Sequence, residues 1–474
     1  MVAPATNIRR PLRFWEQICS NMGVTMGFEL EGKVTPQIVK DAVAALQKEY
    51  PYLRTVLKQD MNQLAFVEQP VAVELNVVEG KDLPEFRKTI TDVANTLRDH
   101  GKSLLYLDLF SKGNKHVLMS TLNHAGMDAL NGFQIYNSFF NYIGLLSAGK
   151  PLPEINSNMF ADVLGGIPES LKKVGPPKVP ENFMQPITAV PNAKAGDKAR
   201  VEAILTELPE EVTAALIKKC HEKGVTVQGA VSAASAIANA AIQAKEFPLP
   251  QTLLLQCPCS VRDQVEPPVK VADGGQGASL LWWPQEVAAG DTLWSVAAAA
   301  SAAVKRETEA KGGLAFWSRM YADKTMFEAM GQETPFYNPP FTVRSFTPLP
   351  LALLPHAFNL VTIRPEATAS SIGVNPIAGA YGPVNVKHCH LLLATYGITS
   401  PTEAGHMTHA HTFNNKLNIT FSYNVPAVGE DRAKRIAATQ EAVLRALASG
   451  SDSAVVEKFL NIDCTSCTGD LISL

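Results

Sequence analysis

Between Gly175 and Arg200 the chain reads G-P-P-K-V-P-E-N-F-M-Q-P-I-T-A-V-P-N-A-K-A-G-D-K-A-R. Five prolines fall in this stretch, and its few apolar residues follow no helical or strand period. Proline lacks a backbone N–H and restricts the residue before it, so neither a helix nor a central strand can run through here. Such a stretch is a linker. A chain of 474 residues is also too long for one ordinary core. The expected organisation is a first unit over residues 1–174, a linker over 175–200 and a second unit over 201–474.

Both units read as mixed α/β. Phe28–Leu30 suits a strand. Thr35 then caps a helix with Pro36 at its first position, and Ile38, Ala42, Ala45 and Leu46 make one apolar face. Pro51 stops that helix, and strands are expected at Tyr52–Leu57 and Leu64–Glu68, with a helix over Leu83–His100. Lys115–Leu122 is β-prone. A helix follows from Met127 to Leu146, with Leu130, Phe133, Tyr136, Phe140 and Ile143 recurring every three or four residues. Beyond the linker, helices are expected over Pro209–Cys220, from Thr226 to Ala244, from a capping Asp291 to Lys311, and over Arg432–Ala448. Leu253–Val261 reads as a strand. Met407–Phe413 and Lys416–Tyr423 flank Asn414-Asn415, a pair tolerant of the positive φ of a two-residue hairpin turn. That register puts His409 and His411 opposite Thr420 and Asn418, on the polar face.

Hydrophobic residues make up 46% of the chain and charged residues 18%, which suits packed globular units. A net charge of −3 supplies no basic excess for nucleic acid or anionic lipid. The N-terminal M-V-A-P-A-T-N-I-R-R lacks the apolar run of a secretory signal. The most apolar stretch, Phe346–Ile363, is broken by Pro348, Pro350 and Pro355, so no transmembrane helix is expected and a cytoplasmic location follows. Seven cysteines scattered through a long chain are no disulfide framework.

The stretch L-N-H-A-G-M-D-A-L-N-G, from Leu122 to Gly132, lies where a strand passes into a helix. Turns of this kind expose side chains at a sheet end. A neutral imidazole at His124 can take a proton from a hydroxyl or amine near neutral pH. Asp128 can hold the turn by pairing with an arginine. The pattern H-x-x-x-D also admits a plainer reading, in which Asp128 complements a helix N-terminus and His124 is a satisfied buried polar residue.

The surrounding text favours the chemical reading. R-P-L-R-F-W-E-Q begins at Arg10, P-Y-L-R-T-V-L at Pro51 and N-H-A-G-M-D-A at Asn123. G-V-T-V-Q-G-A-V-S-A-A follows at Gly224, C-P-C-S-V-R-D at Cys257, A-S-S-I-G-V at Ala369 and F-N-N-K-L-N-I-T-F-S-Y at Phe413. In order and spacing this series resembles the coenzyme-A-dependent acyltransferase superfamily, which includes condensation domains, polyketide-associated acyltransferases and alcohol acetyltransferases. The resemblance covers nearly the whole chain.

It implies two chloramphenicol-acetyltransferase-like halves, each a mixed β-sheet with flanking helices, forming a pseudo-dimer with a central tunnel. It implies an O-acyltransferase that moves an acyl group from a thioester, acyl-CoA, to a hydroxyl or amine. His124 takes the position of the general base and Asp128 that of the structural acid. Arg54 and Arg262 are the matching arginine candidates, and Ser371 is the candidate at the thioester site. The acceptor expected is a small molecule, a hydrophobic alcohol given the apolar Leu349–Leu354 and Leu280–Trp283, and the enzyme is expected as a monomer. No metal is expected.

The chain departs from the family pattern at three places. Asn123 replaces the first of two adjacent histidines, Ala129 replaces the glycine after the aspartate, and Ser371 replaces an asparagine in the S-N-x-G pattern. The plant motif D-F-G-W-G is absent. A catalytically degenerate assembly protein and a carrier-protein-dependent condensation enzyme are the alternatives. These 474 residues contain no recognisable carrier domain, so a free-standing enzyme is expected.

Other patterns carry less. Five of ten histidines fall between His388 and His411, but their parities do not converge on a ligand set, so a polar sheet face is expected rather than a metal site. Gly274-Gly275-Gln276-Gly277 reads as a mobile loop, and Trp282-Trp283 as core or pocket wall. Cys464 and Cys467 form a C-x-x-C in a Gly/Ser/Asp-rich tail, the wrong context for a redox pair.

Overall fold

The computed structural model describes residues 8–167, 170, 200–316, 367–395, 406–425, 428–450 and 452–462, apart from 21, 61, 62, 81 and 246. The proline-rich linker, the apolar segments Phe346–Ile363 and Leu349–Leu354, and the pair Cys464/Cys467 lie outside the described residues.

The first half runs β1 (Arg9–Pro11), α1 (Phe14–Cys19), β2 (Met22–Glu31), α2 (Pro36–Glu49), β3 (Thr55–Asp60), β4 (Gln63–Glu68), β5 (Glu74–Glu79), α3 (Phe86–Ala94), β6 (Leu105–Lys112), β7 (Lys115–Asn123) and α4 (Ala129–Ser147). Thr35 caps α2 as expected, its hydroxyl accepting from the Ile38 N–H with Pro36 at the first helical position. The strand expected from Tyr52 begins later. Pro51–Arg54 form a 3-10 turn, which proline's fixed φ favours, and only Thr55 is extended. The helix expected over Leu83–His100 is confined to Phe86–Ala94, because the Glu85 side chain caps its start and Asn95 closes its end.

The second half runs β8 (Arg200–Leu208), α5 (Glu210–Glu222), α6 (Val227–Gln243), β9 (Gln251–Ser260), β10 (Ala278–Val287), α7 (Leu293–Glu309), β11 (Ala367–Val374), β12 (Ala380–Tyr381), β13 (Val384–Thr395), β14 (His406–Phe413), β15 (Lys416–Val425) and α8 (Glu430–Ser449). Thr292 rather than Asp291 caps α7. Its hydroxyl accepts from the Ser295 N–H, while Asp291 instead accepts from Ala288 N. The hairpin has the register read from the sequence, with His411 opposite Asn418, His409 opposite Thr420, and positive φ at Asn414 and Asn415.

The two main sheets are mixed. The order in the second is β10-β9-β11-β14-β15-β8, with β11 parallel to both its neighbours. The first has the order β12-β13-β2-β7-β6-β5, so two strands from beyond the linker complete the first-half sheet. Cys389 of β13 lies opposite Phe28 of β2, and His390 opposite Gly27. Without β13, the buried strand β2 would present an unpaired edge.

Each sheet has its own apolar core. In the first half Phe28 packs edge-on against Phe140 of α4, centroids 4.8 Å apart, on the face that carries α2 and α4. In the second, the alanine-rich α6 is buried almost throughout. Its small side chains admit α7 so closely that a Cβ on Gly229 would lie 2.7 Å from the Ser301 Cβ. A third cluster joins the halves, with Phe86, Val117, Met119 and Leu392 against Val201, Ala203 and Leu205. Among the described residues no single helix is long and apolar enough to cross a membrane.

Candidate active site

The helix expected from Met127 starts two residues later, because the chain first makes another turn. β7 ends at Asn123, and His124–Gly126 form a 3-10 turn. Asn123 is fully buried and builds that turn. Its Oδ1 accepts from the Ala125 N–H at 2.9 Å, and its Nδ2 donates to the Ser20 carbonyl at 2.8 Å. A Cβ on Gly126 would lie 2.3 Å from Cε2 of Tyr52, whose hydroxyl donates to the Asn123 carbonyl. Glycine is therefore required there for close approach.

His124 is half-buried at the start of this turn. Its Nδ1 lies 2.7 Å from the Met127 carbonyl oxygen. A carbonyl only accepts, so Nδ1 carries the proton and Nε2 keeps its lone pair. Burial lowers the imidazole pKa below its ordinary value, against the opposing influence of the Met127 carbonyl and the Asp128 charge. The ring is thus neutral near pH 7, with a fixed tautomer.

The Asp128 carboxylate is directed away from hydrogen bonding with the imidazole and toward three other donors. One carboxylate oxygen caps α4 by accepting from Asn131 N at 3.0 Å. The other accepts from Arg262 Nη2 at 2.7 Å and from the Gly277 N–H at 3.0 Å. Arg262, buried to the same degree, also donates to the carbonyls of Gly274 and Gly275. Of the two arginine candidates, Arg262 is the partner of Asp128, while Arg54 pairs with Glu68 at 3.1 Å.

The glycine-rich loop is therefore pinned, in contrast to the mobile loop expected. The carbonyls of Gly274 and Gly275 and the N–H of Gly277 are held by the Asp128–Arg262 pair. Gln276 at its centre is fully buried and donates to the His124 carbonyl at 3.1 Å. Asn131 ties the neighbouring segment by donating to the Val271 carbonyl at 2.7 Å. Gln276 and Asn131 carried no signal in the sequence, since they act on partners 152 and 140 residues away.

Ser371 is placed apart from this turn. Its N–H donates to Gln228 Oε1 of α6 at 2.6 Å, and its ladder partner is Ala410, in the core beneath the helices. Ser370, paired with His409, is on the opposite face. The histidine-bearing face is buried between the halves: His390, His409 and His411 are each at most 5% exposed. Among the described residues no group of three or more His, Cys, Asp or Glu side chains is arranged to hold a metal ion. Trp283 belongs to the second-half core, whereas Trp282 is half-buried against Phe316, centroids 5.5 Å apart. Trp15 meets the same Phe316 ring edge-on from α1, the helix packed on the His124 turn.

Residues 197–421 match the family model described as phthiocerol/phthiodiolone dimycocerosyl transferase C-terminus. No curated protein matches the chain in sequence. The fold is similar to that of polyketide synthase associated protein 5 from Mycobacterium tuberculosis, with 14% identity and a TM-score of 0.63 over 93% of this chain and 98% of that one. The first condensation domain of the CDA synthetase is similar at 13% identity and a TM-score of 0.63, over 96% and 99% of the two chains. Trichothecene 15-O-acetyltransferase from Fusarium sporotrichioides is similar at 9% identity and a TM-score of 0.63, over 94% and 97%. At such identities the likeness to the solved structures is one of fold. That fold is one of two chloramphenicol-acetyltransferase-like halves, and the family match beyond the linker agrees with it.

Proposed function

We propose that the protein is a thioester-dependent acyltransferase in which His124 is the general base, working in a tunnel between the two halves. The observation that carries this reading is the tautomer of His124. With Nδ1–H committed to Met127, Nε2 is left as the basic nitrogen on a half-buried ring. Nε2 takes the proton of an acceptor hydroxyl or amine as that atom attacks the thioester carbonyl carbon. The tetrahedral intermediate collapses with breakage of the C–S bond, and the imidazolium returns its proton to the departing thiolate. Asp128 transfers no proton; with Arg262 it holds the turn and the 274–277 loop together.

The donor in this reading is an acyl-CoA. The acceptor is a small hydrophobic alcohol, a class suited to the Trp15, Trp282 and Phe316 cluster beside the active turn. The enzyme acts as a cytoplasmic monomer. Positioned base catalysis contributes roughly 10²–10⁴ in rate. His124→Ala should therefore lose at least about that factor in coenzyme A release, followed with a thiol reagent over a panel of acyl-CoA donors and alcohols. Unchanged turnover in that variant would remove the assignment.

A further inference from the structure

The inner face of the second sheet carries an imidazole with one buried nitrogen that no described residue pairs. His409 lies on β14, opposite Thr420 of β15 and beside Ser370 of β11. Ladder partners share a face, and Thr420 is in turn paired with Leu205, part of the apolar contact between the halves. His409 therefore looks toward the first half.

Two neighbouring histidines on this interface have partners. His411 Nε2 lies 3.1 Å from the Cys389 carbonyl, and its ring packs on Phe133 of α4, centroids 5.3 Å apart. His390 Nδ1 lies 3.3 Å from Thr420 Oγ1. His409 is 5% exposed, and its Nδ1 is buried with no hydrogen-bond partner among the described residues, as is Nε2 of His390. Phe133 sits one turn beyond Asp128, so this end of β14 lies against the helix that begins at the active turn. His409 is also close enough to His124 for a charge on one to oppose a charge on the other.

Burial, reinforced by His411 and His124, pushes the His409 pKa down to about 3, so the ring is neutral at working pH. It cannot act as a second base near neutrality. A neutral imidazole still carries one N–H, and with that proton on Nδ1 the ring holds a buried donor without a partner, which calls for an explanation. Acyl transfer supplies one, because an oxygen gains charge in the transition state and requires a donor already in place. Neutral imidazole is suited to that electrophilic role.

We propose that the His409 N–H donates to the thioester carbonyl oxygen, from the half opposite His124. This rests on the acyl-transfer reading above. As the acceptor attacks, the carbonyl π electrons move onto oxygen and the hydrogen bond strengthens without proton transfer. It weakens again when the C–S bond breaks and the new carbonyl forms.

The test compares the full-length protein with His409→Phe, His409→Asn and His124→Ala. Acyl transfer and the uncoupled hydrolysis of the same acyl-CoA are both measured. Loss of an oxyanion donor should lower kcat for both reactions by the same factor, on the order of 10²–10³, with acceptor KM unchanged. His409→Asn, which keeps an N–H, should recover part of that loss. Unchanged turnover in His409→Phe, or a raised acceptor KM with hydrolysis intact, would overturn the proposal. Full activity in His124→Ala beside an impaired His409→Phe would remove the base and leave the donor. A readout free of turnover uses ¹⁵N-histidine spectra. S-acetonyl-pantetheine, which bears a carbonyl, should shift the His409 ring signal, and S-propyl-pantetheine should not. Equal response to the two also overturns the proposal, and this pair of ligands serves both free and carrier-bound donors because the pantetheine arm is common to them.

Discussion

One carbonyl determines which nitrogen of His124 is basic. Because burial is the largest influence on that ring and it lowers the pKa, the imidazole stays neutral further into acid than a free histidine. Protonation of Nε2 would abolish the proposed base, so kcat/KM should fall only on the acid side, with an inflection below the ordinary histidine value of about 6.5 and a plateau above it. A pH profile with its inflection above that value would contradict the burial account. Asp128 answers to a different measurement. In Asp128→Asn the amide oxygen still caps α4, but Arg262 is left buried without a counter-charge. Removing one partner of a buried pair costs about 3–5 kcal/mol. Urea unfolding should register a loss of that size, and activity should drop as the 274–277 loop loses its anchor.

At the level of elements, the active turn is a strand end, a 3-10 turn and a helix cap in succession, and the two departures that fall in it, Asn123 and Ala129, each have a local account. Asn123 does structural work at both ends of its side chain. Ala129 occupies the first helical position after the Asp128 cap and is not among the residues with positive φ. The close approach falls instead at Gly126 and at Gly132, where a Cβ would lie 2.4 Å from Met127 Cε. Ala129 thus needs none of glycine's conformational freedom. Ala129→Gly should leave turnover within about twofold and cost up to about 1 kcal/mol, the helix penalty of glycine. Steady-state kinetics together with thermal unfolding would check both.

Across the whole molecule, the halves are joined by strand exchange and by charge. β13 completes the first sheet, and its His388 lies 3.0 Å from Glu207 of β8 and 3.7 Å from Glu29 of β2. Lys416 adds a 2.6 Å contact to Glu207. Burial alone would raise the Glu207 carboxyl, but hydrogen bonds from His388 and Lys416 outweigh it and hold the pKa at about 2. A carboxyl lowered from 4.5 to about 2 contributes stability that is present above 4.5 and lost as pH falls toward 2. In that window the melting temperature of the wild type should fall more steeply than that of Glu207→Gln. Parallel slopes would mean that this contact does not link the halves energetically.

Local patterns were legible in the sequence wherever one periodicity or one cap decides the outcome. The Thr35 cap, the Asn414-Asn415 hairpin with its register, and the strand-to-helix position of His124 and Asp128 all depend on residues near in the chain. Tertiary structure alone decided which arginine meets Asp128, that the glycine-rich loop is pinned, that β13 crosses into the first sheet and that the histidine face is buried. Each of these depends on groups more than a hundred residues apart. Local sequence sets propensity and hydrophobic period, but which distant donor reaches a buried carboxylate, or which strand fills an open edge, is settled only when the two halves pack.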